Sequence, residues 1–144
     1  LKDYHIDGHE KVNIVSFPDA NAKYDCQGKH ITITAHSGNN RAYLQLLGKC
    51  RSVVIMGSDV KVQLDKTDHL STSGANIEVK ANVVNSLSES GMRNKVMIER
   101  LGYTSTRDPS SQIYYVRSLL DGEALKNFKH YNPHVKQVEN LNNL

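Results

Sequence analysis

Residues 57–64 (GSDVKVQL) and residues 74–79 (GANIEV) share a short pattern that decides the fold. Each stretch begins with a glycine, and aliphatic residues then occupy alternate positions. Alternation with a period of two indicates a strand that buries one of its faces. Glycine supplies the positive φ angle that a chain needs at many corners. Both stretches therefore predict a corner followed by a short strand.

The same pattern occurs at six places and predicts an all-β fold. The glycines that open it are Gly8, Gly28, Gly48, Gly57, Gly74 and Gly91. The alternating residues predicted to form a buried core are Ile31, Ile33, Val53, Ile55, Val60, Val62, Ile77, Val79, Val96 and Ile98. This repetition favours a short parallel β-helix, a solenoid-like stack in which each coil lies on the next. The alternative is an antiparallel β-sandwich or meander, in which residues 37–40 would form a hairpin between strands 30–35 and 43–47.

The chain, residues 1–144, is predicted to form one domain. Trp is absent and Phe occurs only twice, so the core must be aliphatic. The β repeats are predicted over residues 1–103. Residues 104–144 are predicted to form a polar loop and a partly helical cap, because residues 123–130 contain good helix formers. Residues 112–120 fit either a strand or a helix.

Two features of the sequence predict a secreted or periplasmic location. The chain begins at Leu1 rather than Met, as expected after removal of a signal peptide or in a fragment of a longer protein. The only cysteines are Cys26 and Cys50. An oxidised pair would suit an extracellular or periplasmic compartment.

The length of the coil decides whether Cys26 and Cys50 are expected to form a disulfide. If the two cysteines stack directly, one coil extends from Cys26 to Cys50 and a bridge forms. If Gly28 stacks on Gly48 instead, the coil is shorter and the cysteines are too far apart to pair. We predict the disulfide, together with the longer coil.

Six segments of the central chain combine Gly or Asn corners with V-x-V or I-x-I strands, and cysteines lie near the first two corners. These segments are residues 26–34 (CQGKHITIT), 37–40 (SGNN), 47–50 (LGKC), 53–62 (VVIMGSDVKV), 73–79 (SGANIEV) and 90–98 (SGMRNKVMI). Over residues 25–99 the chain thereby resembles a family of small secreted bacterial proteins of unknown function. The resemblance implies a short parallel β-helix and a secreted location. It implies no activity and no catalytic residue.

The charge pattern and motifs argue against several classes of function. Lys and Arg number 18 and Asp and Glu number 15, but the basic residues are scattered, which argues against a nucleic-acid partner. No apolar stretch is long enough to span a membrane. The sequence contains neither a phosphate-binding G-x-x-x-x-G-K-[ST] motif nor a G-x-S-x-G nucleophile motif. We therefore predict no cofactor and favour no enzymatic activity.

Histidine spacing raises the question of a metal site. His5 and His9, and likewise His130 and His134, are four residues apart. This spacing places two ligands on one helix face, but a glycine interrupts the first pair and a proline the second. A structural zinc site also needs four convergent ligands. We therefore predict no metal site.

The favoured function is a non-enzymatic binding or surface-interaction module whose ligand is a glycan or a protein. Tyr114 and Tyr115 are candidates for ligand contact, although packing of one ring in the core is the simpler expectation. One alternative is a small polysaccharide-cleaving hydrolase or lyase. The acids considered for it are Asp59, Asp65, Asp68 and Glu78. Their convergence in one groove would favour the enzyme, and their dispersal would favour binding. A further alternative is a structural module of a surface assembly.

Overall fold

The computed structural model describes residues 10–17, 20–36, 40–106 and 110–144, which form a parallel β-helix closed at one end by a short helix. In chain order the elements are β1 (Lys11–Ser16), β2 (Asn21–Asp25), β3 (His30–His36), β4 (Ala42–Thr72), β5 (Ala75–Glu89), β6 (Lys95–Thr106), β7 (Gln112–Ser118), α1 (Gly122–Tyr131) and β8 (Val135–Gln137).

Every pairing among these strands is parallel, and the sequence offset between partners is constant from β4 to β7. Val60 pairs with Ile77, and Ile98 pairs with Tyr115, so both pairs have the same offset of 17. Parallel partners at a fixed short offset mean that the chain completes one turn of a helical stack within that interval. Residues 43–47 pair with β2 rather than with β3. The parallel stack is therefore confirmed, and the antiparallel alternative with its hairpin is wrong.

Both predicted coil lengths, the one from the glycine spacing and the one from the cysteine spacing, are wrong. The offset is 17 for the pairs β4–β5, β5–β6 and β6–β7. It is 22 for β2–β4 and β3–β4, so the earlier coils are longer. The spacing of the first glycines predicts the wrong coil length because Gly28 does not stack on Gly48. It lies opposite the Lys49–Cys50 peptide, and its N–H donates to the carbonyl oxygen of Lys49 at 2.8 Å.

The ten residues predicted to form the core fill the interior of the stack. All lie in strands, and none is more than 1% exposed. Because side chains alternate across a strand, every second residue of each rung points inward and stacks on its counterpart in the next coil. The prediction of an aliphatic β core is confirmed.

Breaks in the alternation divide each coil into three faces. In β4, Asp65 and Lys66 both point outward, and so do Asp68 and His69, whereas Thr67 between them is buried. The pairing with β5 skips Asp65 and Asp68. The chain turns at each place where two consecutive residues point outward. These two turns divide the coil into a first face (residues 60–64), a second face (66–67) and a third face (69–72).

A column of glycines lies at the corner that leads back to the first face. A Cβ atom on Gly74 would overlap the carbonyl oxygen of Gly57, and one on Gly91 would overlap that of Gly74. Close stacking of backbone, rather than a positive φ, therefore requires glycine at 74 and 91, which corrects the explanation from sequence. Left-handed backbone at this corner is instead adopted, once in each coil, by Asp59, Asn76 and Arg93.

The stack continues beyond the boundary predicted at residue 103. Strand β6 extends to Thr106, and β7 then adds a further rung, so residues 112–118 are strand rather than helix. The cap begins after β7. Phe128 of α1 is buried edge-on against Tyr115, with ring centroids 5.8 Å apart. Within the described residues, no helix has the length and hydropathy to cross a membrane.

A disulfide joins Cys26 to Cys50, with the two Cα atoms 5.0 Å apart. This separation lies in the ordinary range for a disulfide. The coil here follows the offset of 22, because Ile31 pairs with Val53 rather than with Ile55. The cysteines are 24 apart in sequence, so the expected link between the disulfide and a coil of that length is wrong. The two residues that directly follow Cys26, Gln27 and Gly28, form a left-handed turn beside the bridge.

Candidate functional site

A shallow groove runs along the stack where the first face meets the second, and it consists of three adjoining depressions that share Asp65 and Asn82, or Arg117. We call it the axial groove. Its lining comes from six successive rungs, at residues 45–47, 63–66, 82–83, 99–100, 116–117 and 137–139. The middle section has a volume of about 400 Å³. Neighbouring strands lie about 4.8 Å apart, so five steps between six rungs give a length of roughly 24 Å.

The sequence builds this groove from two parallel columns of outward side chains. Both arise at the corner where two consecutive residues of each coil point outward. The first column, which we call the amide–acid column, contains side chains at equivalent positions in the stack, namely Asp65, Asn82 and Glu99. The second column follows the paired positions Lys66, Val83, Arg100 and Arg117. We call the second set, without its valine, the basic column.

The amide–acid column is held in place by a hydrogen bond between rungs. Asn82 donates from Nδ2 to Oδ1 of Asp65 at 2.9 Å. A similar contact lies outside the groove on the same two coils, where Asn85 donates to Asp68 at 3.0 Å. Both pairs have the sequence offset of 17, so the coil length itself creates them.

The basic column is open to solvent and has no partner within the described part of the chain. Lys66, Arg100 and Arg117 are exposed. None of the three takes part in the ion pairs found among the described residues, and none donates a side-chain hydrogen bond there. Arg100 and Arg117 occupy directly paired positions on adjacent strands. Two guanidinium groups are thus presented side by side at the surface of the groove.

The acids considered for catalysis have separate partners. Asp68 lies 3.5 Å from the ammonium of Lys49, in addition to its contact with Asn85. Glu78 lies 3.2 Å from Arg41 and 3.4 Å from Lys61. Asp59 occupies a left-handed position at a corner, and only Asp65 of the four lines the groove. Structural ion pairs and hydrogen bonds therefore account for most of these carboxylates.

Tyr114 and Tyr115 have different environments. Tyr115 is 2% exposed and packs in the core, where burial raises the pKa of its phenol above the ordinary value. It has no surface left for a ligand. Tyr114 is half-buried on the first face, where it lines a cleft of about 220 Å³ with His134 and Lys136.

The histidines do not form a metal centre within the described ranges. His5 and His9 lie outside the described residues. His130 contacts the ring of Tyr131 edge-on, with centroids 4.9 Å apart. No three His, Cys, Asp or Glu side chains converge among the residues from 10 onward that the structure describes.

Glu89 is a buried acid that is absent from the candidates suggested by the sequence. Its side chain points inward at the end of β5 and is 1% exposed. Oε2 accepts hydrogen bonds from the Gly91 N–H (2.9 Å), Asn94 Nδ2 (2.9 Å) and Ser111 Oγ (3.0 Å). Oε1 accepts one from Thr106 Oγ1 (2.9 Å). These four donors satisfy a carboxylate in the interior and tie three coils together.

A simple signal identifies Glu89 and the groove residues once the coil length is known. With an offset of 17, Glu89 aligns with Thr72 and Thr106, and alternation from Leu87 places it inward. The same offset aligns Lys66 with Arg100 and Arg117. A register taken from the glycine or cysteine spacing does not align these residues. With such a register, neither the buried position of Glu89 nor the basic column can be recognised.

Comparison with known proteins gives a partial match. Residues 37–91 match a family described as "Protein of unknown function (DUF3060)". The matched segment covers less than half of the chain and includes the first rungs of the axial groove from 45 to 83. The match agrees with a resemblance to a family of unknown function. No curated protein and no solved structure matches the chain.

Proposed function

We propose that this protein is a secreted or periplasmic binding module that holds an extended glycan in the axial groove. The observation that carries the proposal is the row of three adjoining depressions that together span six rungs. The disulfide is compatible with an oxidising compartment. A glycan is favoured over a protein partner because the groove is long and combines charged and amide side chains with leucine and valine side chains.

The chemistry of the lining supports a sugar ligand. Amides, carboxylates and guanidinium groups each present two hydrogen-bonding atoms in one plane, which suits neighbouring hydroxyl groups. Gln45, Gln63, Asn82 and Gln137 supply amides along the groove. Because the same kinds of group recur along the stack, successive sugars of a polymer would meet similar surroundings.

The rigidity of the stack supports binding without a large ordering cost. The lining belongs mostly to strands whose inner neighbours are buried, so the outward side chains stand on a fixed backbone. Preorganised sites lose less conformational entropy when a ligand binds. An extended glycan would therefore find a surface already matched to its length.

Hydrolysis of the bound glycan is the second candidate function. Asp65 and Glu99 line the groove two rungs apart, which corresponds to about 9.6 Å between their backbones. Inverting glycosidases separate their two carboxyl groups by roughly 6.5–9.5 Å. The hydrogen bond from Asn82 to Asp65 favours a structural role for that acid, so binding is the first proposal.

The proposal is tested by measuring affinity for oligosaccharides of increasing length. A glycan array with the purified protein identifies the sugar type, and calorimetry then follows one series of oligomers. Affinity is expected to rise with length and to level off at roughly 24 Å, the extent of six rungs. Binding that does not depend on length, or an array without binding, would contradict an extended site.

A pair of matched variants locates the binding site. Asn82→Ile removes the amide at the centre of the groove, and Asn85→Ile removes the equivalent amide outside it. Both lose one exposed contact to an aspartate, so their stabilities should fall by similar amounts, about 1 kcal/mol. Only Asn82→Ile should weaken glycan binding, by about tenfold. Equal weakening by both variants would place the glycan elsewhere. Release of reducing sugar ends by the wild type, lost in Glu99→Gln, would support hydrolysis instead.

A further inference from the structure

We propose that the glycan bound in the axial groove is acidic, and that the basic column binds its negatively charged substituents. This inference rests on the proposed function and specifies its ligand. The basic column consists of Lys66, Arg100 and Arg117. The substituents that it fits are carboxylate, sulfate or phosphate groups placed along one edge of the polymer.

The first argument is the pairing of Arg100 with Arg117. These residues occupy directly opposed positions on neighbouring parallel strands, about 4.8 Å apart. Like charges at such positions repel each other and destabilise the strand pair. An anion between the two guanidinium groups would replace this repulsion with two charge-assisted hydrogen bonds. Arginine is also the residue whose planar donor pair best matches carboxylate, sulfate-like or phosphate oxygens.

The second argument is that these cations are free to bind. Elsewhere on the described surface, several basic residues are paired with acids, as in Arg41 and Lys61 with Glu78 and Lys49 with Asp68. The three residues of the basic column have no such partner within the described ranges, although Glu99 lies next to Arg100 in the chain. Their charge is therefore available to a ligand.

The acids of the groove determine which edge of the ligand carries the charge. A third acid, Glu139, lines the end of the groove together with Arg117. Asp65 and Glu99 lie in the amide–acid column, on the side of the first face. They would repel an anionic group but accept hydrogen bonds from sugar hydroxyls. The acidic groups of the glycan must then lie toward the second face of the stack, and its hydroxyl groups must lie toward the first face. The two columns together select a polymer with one charged and one neutral edge.

Val83 provides a test by gain of binding. It occupies the single uncharged position of the second column, between Lys66 and Arg100 in register. Val83→Arg would complete a row of four cations. Its half-buried, outward position on a strand tolerates the longer side chain. We expect the ratio of affinity for an acidic glycan to affinity for a neutral glycan to rise about fivefold.

The main experiment compares a uronic-acid oligosaccharide with its methyl ester by calorimetry. The two ligands share one backbone and differ only at the carboxyl groups, which are charged in the acid and carry an uncharged methyl ester in the other ligand. The wild-type protein should bind the acid at least about tenfold more tightly than the ester, and the preference should shrink as salt is added. A sulfated oligosaccharide of equal length distinguishes sulfate from carboxylate recognition.

Two further variants connect the preference to the basic column. Arg100→Gln combined with Arg117→Gln should lower affinity for the acid about tenfold more than affinity for the ester, so that the preference for the acid disappears. Lys80→Gln, which removes a positive charge from the first face outside the groove, is the control and should keep the preference.

The outcomes separate the two proposals. Equal binding of acid and ester by the wild type would overturn the acidic ligand and leave the glycan-binding function standing. A preference that survives in the double variant would overturn the role of the basic column. Binding of none of the acidic, neutral or sulfated oligosaccharides would overturn both proposals.

Discussion

Removal of the Glu89 carboxylate should be among the most damaging single substitutions in this protein. In Glu89→Ala, the Gly91 N–H loses its buried acceptor, and Asn94 Nδ2 loses one of its two acceptors and keeps the Gly74 carbonyl oxygen at 3.3 Å. Each unsatisfied donor costs about 1–3 kcal/mol. The Ser111 hydroxyl can turn toward the Gly91 carbonyl oxygen, 3.5 Å away, so it adds little to the cost. We therefore expect the free energy of unfolding to fall by about 2–6 kcal/mol.

Glu89→Gln separates the loss of hydrogen bonds from the loss of charge. The glutamine oxygen can occupy the position of Oε2 and accept the same three hydrogen bonds. Its amide nitrogen then faces Thr106, whose hydroxyl can reverse its role and accept a hydrogen bond. Only the charge assistance of the bonds is lost, so we expect a smaller cost of about 1–2 kcal/mol.

Urea unfolding followed by far-ultraviolet circular dichroism measures both variants, provided that the slope of the transition is compared with that of the wild type. Thr106→Val is a useful control, because it removes only the hydroxyl partner of Oε1. A Glu89→Ala variant within about 1 kcal/mol of the wild type would refute the view that the interior depends on this carboxylate. A Glu89→Gln variant as unstable as Glu89→Ala would show that charge, rather than the set of donors, is decisive.

Three other predictions concern the core, the disulfide and the cap. Ile55→Ala should lower the free energy of unfolding by about 2–4 kcal/mol in urea, because Ile55 is fully buried; an effect below about 1 kcal/mol would contradict this. Cys50→Ser should lower it by about 3 kcal/mol, and alkylation without reductant should leave both wild-type cysteines unmodified. Burial raises the pKa of Tyr115. The stabilisation that comes from its neutral phenol is therefore complete below about pH 10, and it is lost as the pH rises through the pKa of Tyr115 in the folded protein. In Tyr115→Phe, the free energy of unfolding should lack this loss at alkaline pH. If its pH dependence were the same as in the wild type, the effect assigned to Tyr115 would be wrong.

The core could be predicted from sequence because its signal is local. Alternation of Val and Ile within five or six residues identifies the buried face of each strand without knowledge of the partner strand. All ten predicted core residues are buried for this reason. The cap is recognisable through a similar local signal, the helix formers that precede Pro133.

The register could not be predicted because it depends on contacts between coils. Glycine spacing suggests a register, but the glycines serve two different purposes. Gly28 and Gly48 adopt a positive φ in the longer early coils, whereas close backbone stacking requires Gly57, Gly74 and Gly91, which follow one another at the offset of 17. A spacing measured between such unlike positions gives no constant coil length.

The proposed binding surface could not be predicted without the register. Tyr114 and Tyr115 are conspicuous in the sequence because they are aromatic and adjacent, but the buried ring supports the cap. The residues of the axial groove are common charged and amide residues that recur at the coil offset of 17. Only the correct coil length brings them into columns, and alternation within a strand contains no information about that length.

The constant register between β4 and β7 has a consequence for how such a protein can vary. Each coil of this region contributes one rung to the interior and one rung to the groove. Duplication or deletion of one whole coil would preserve the alignment of every remaining column. It would lengthen or shorten the groove by about 4.8 Å. Related chains could thereby match longer or shorter polymers while keeping the same contacts with each repeating unit.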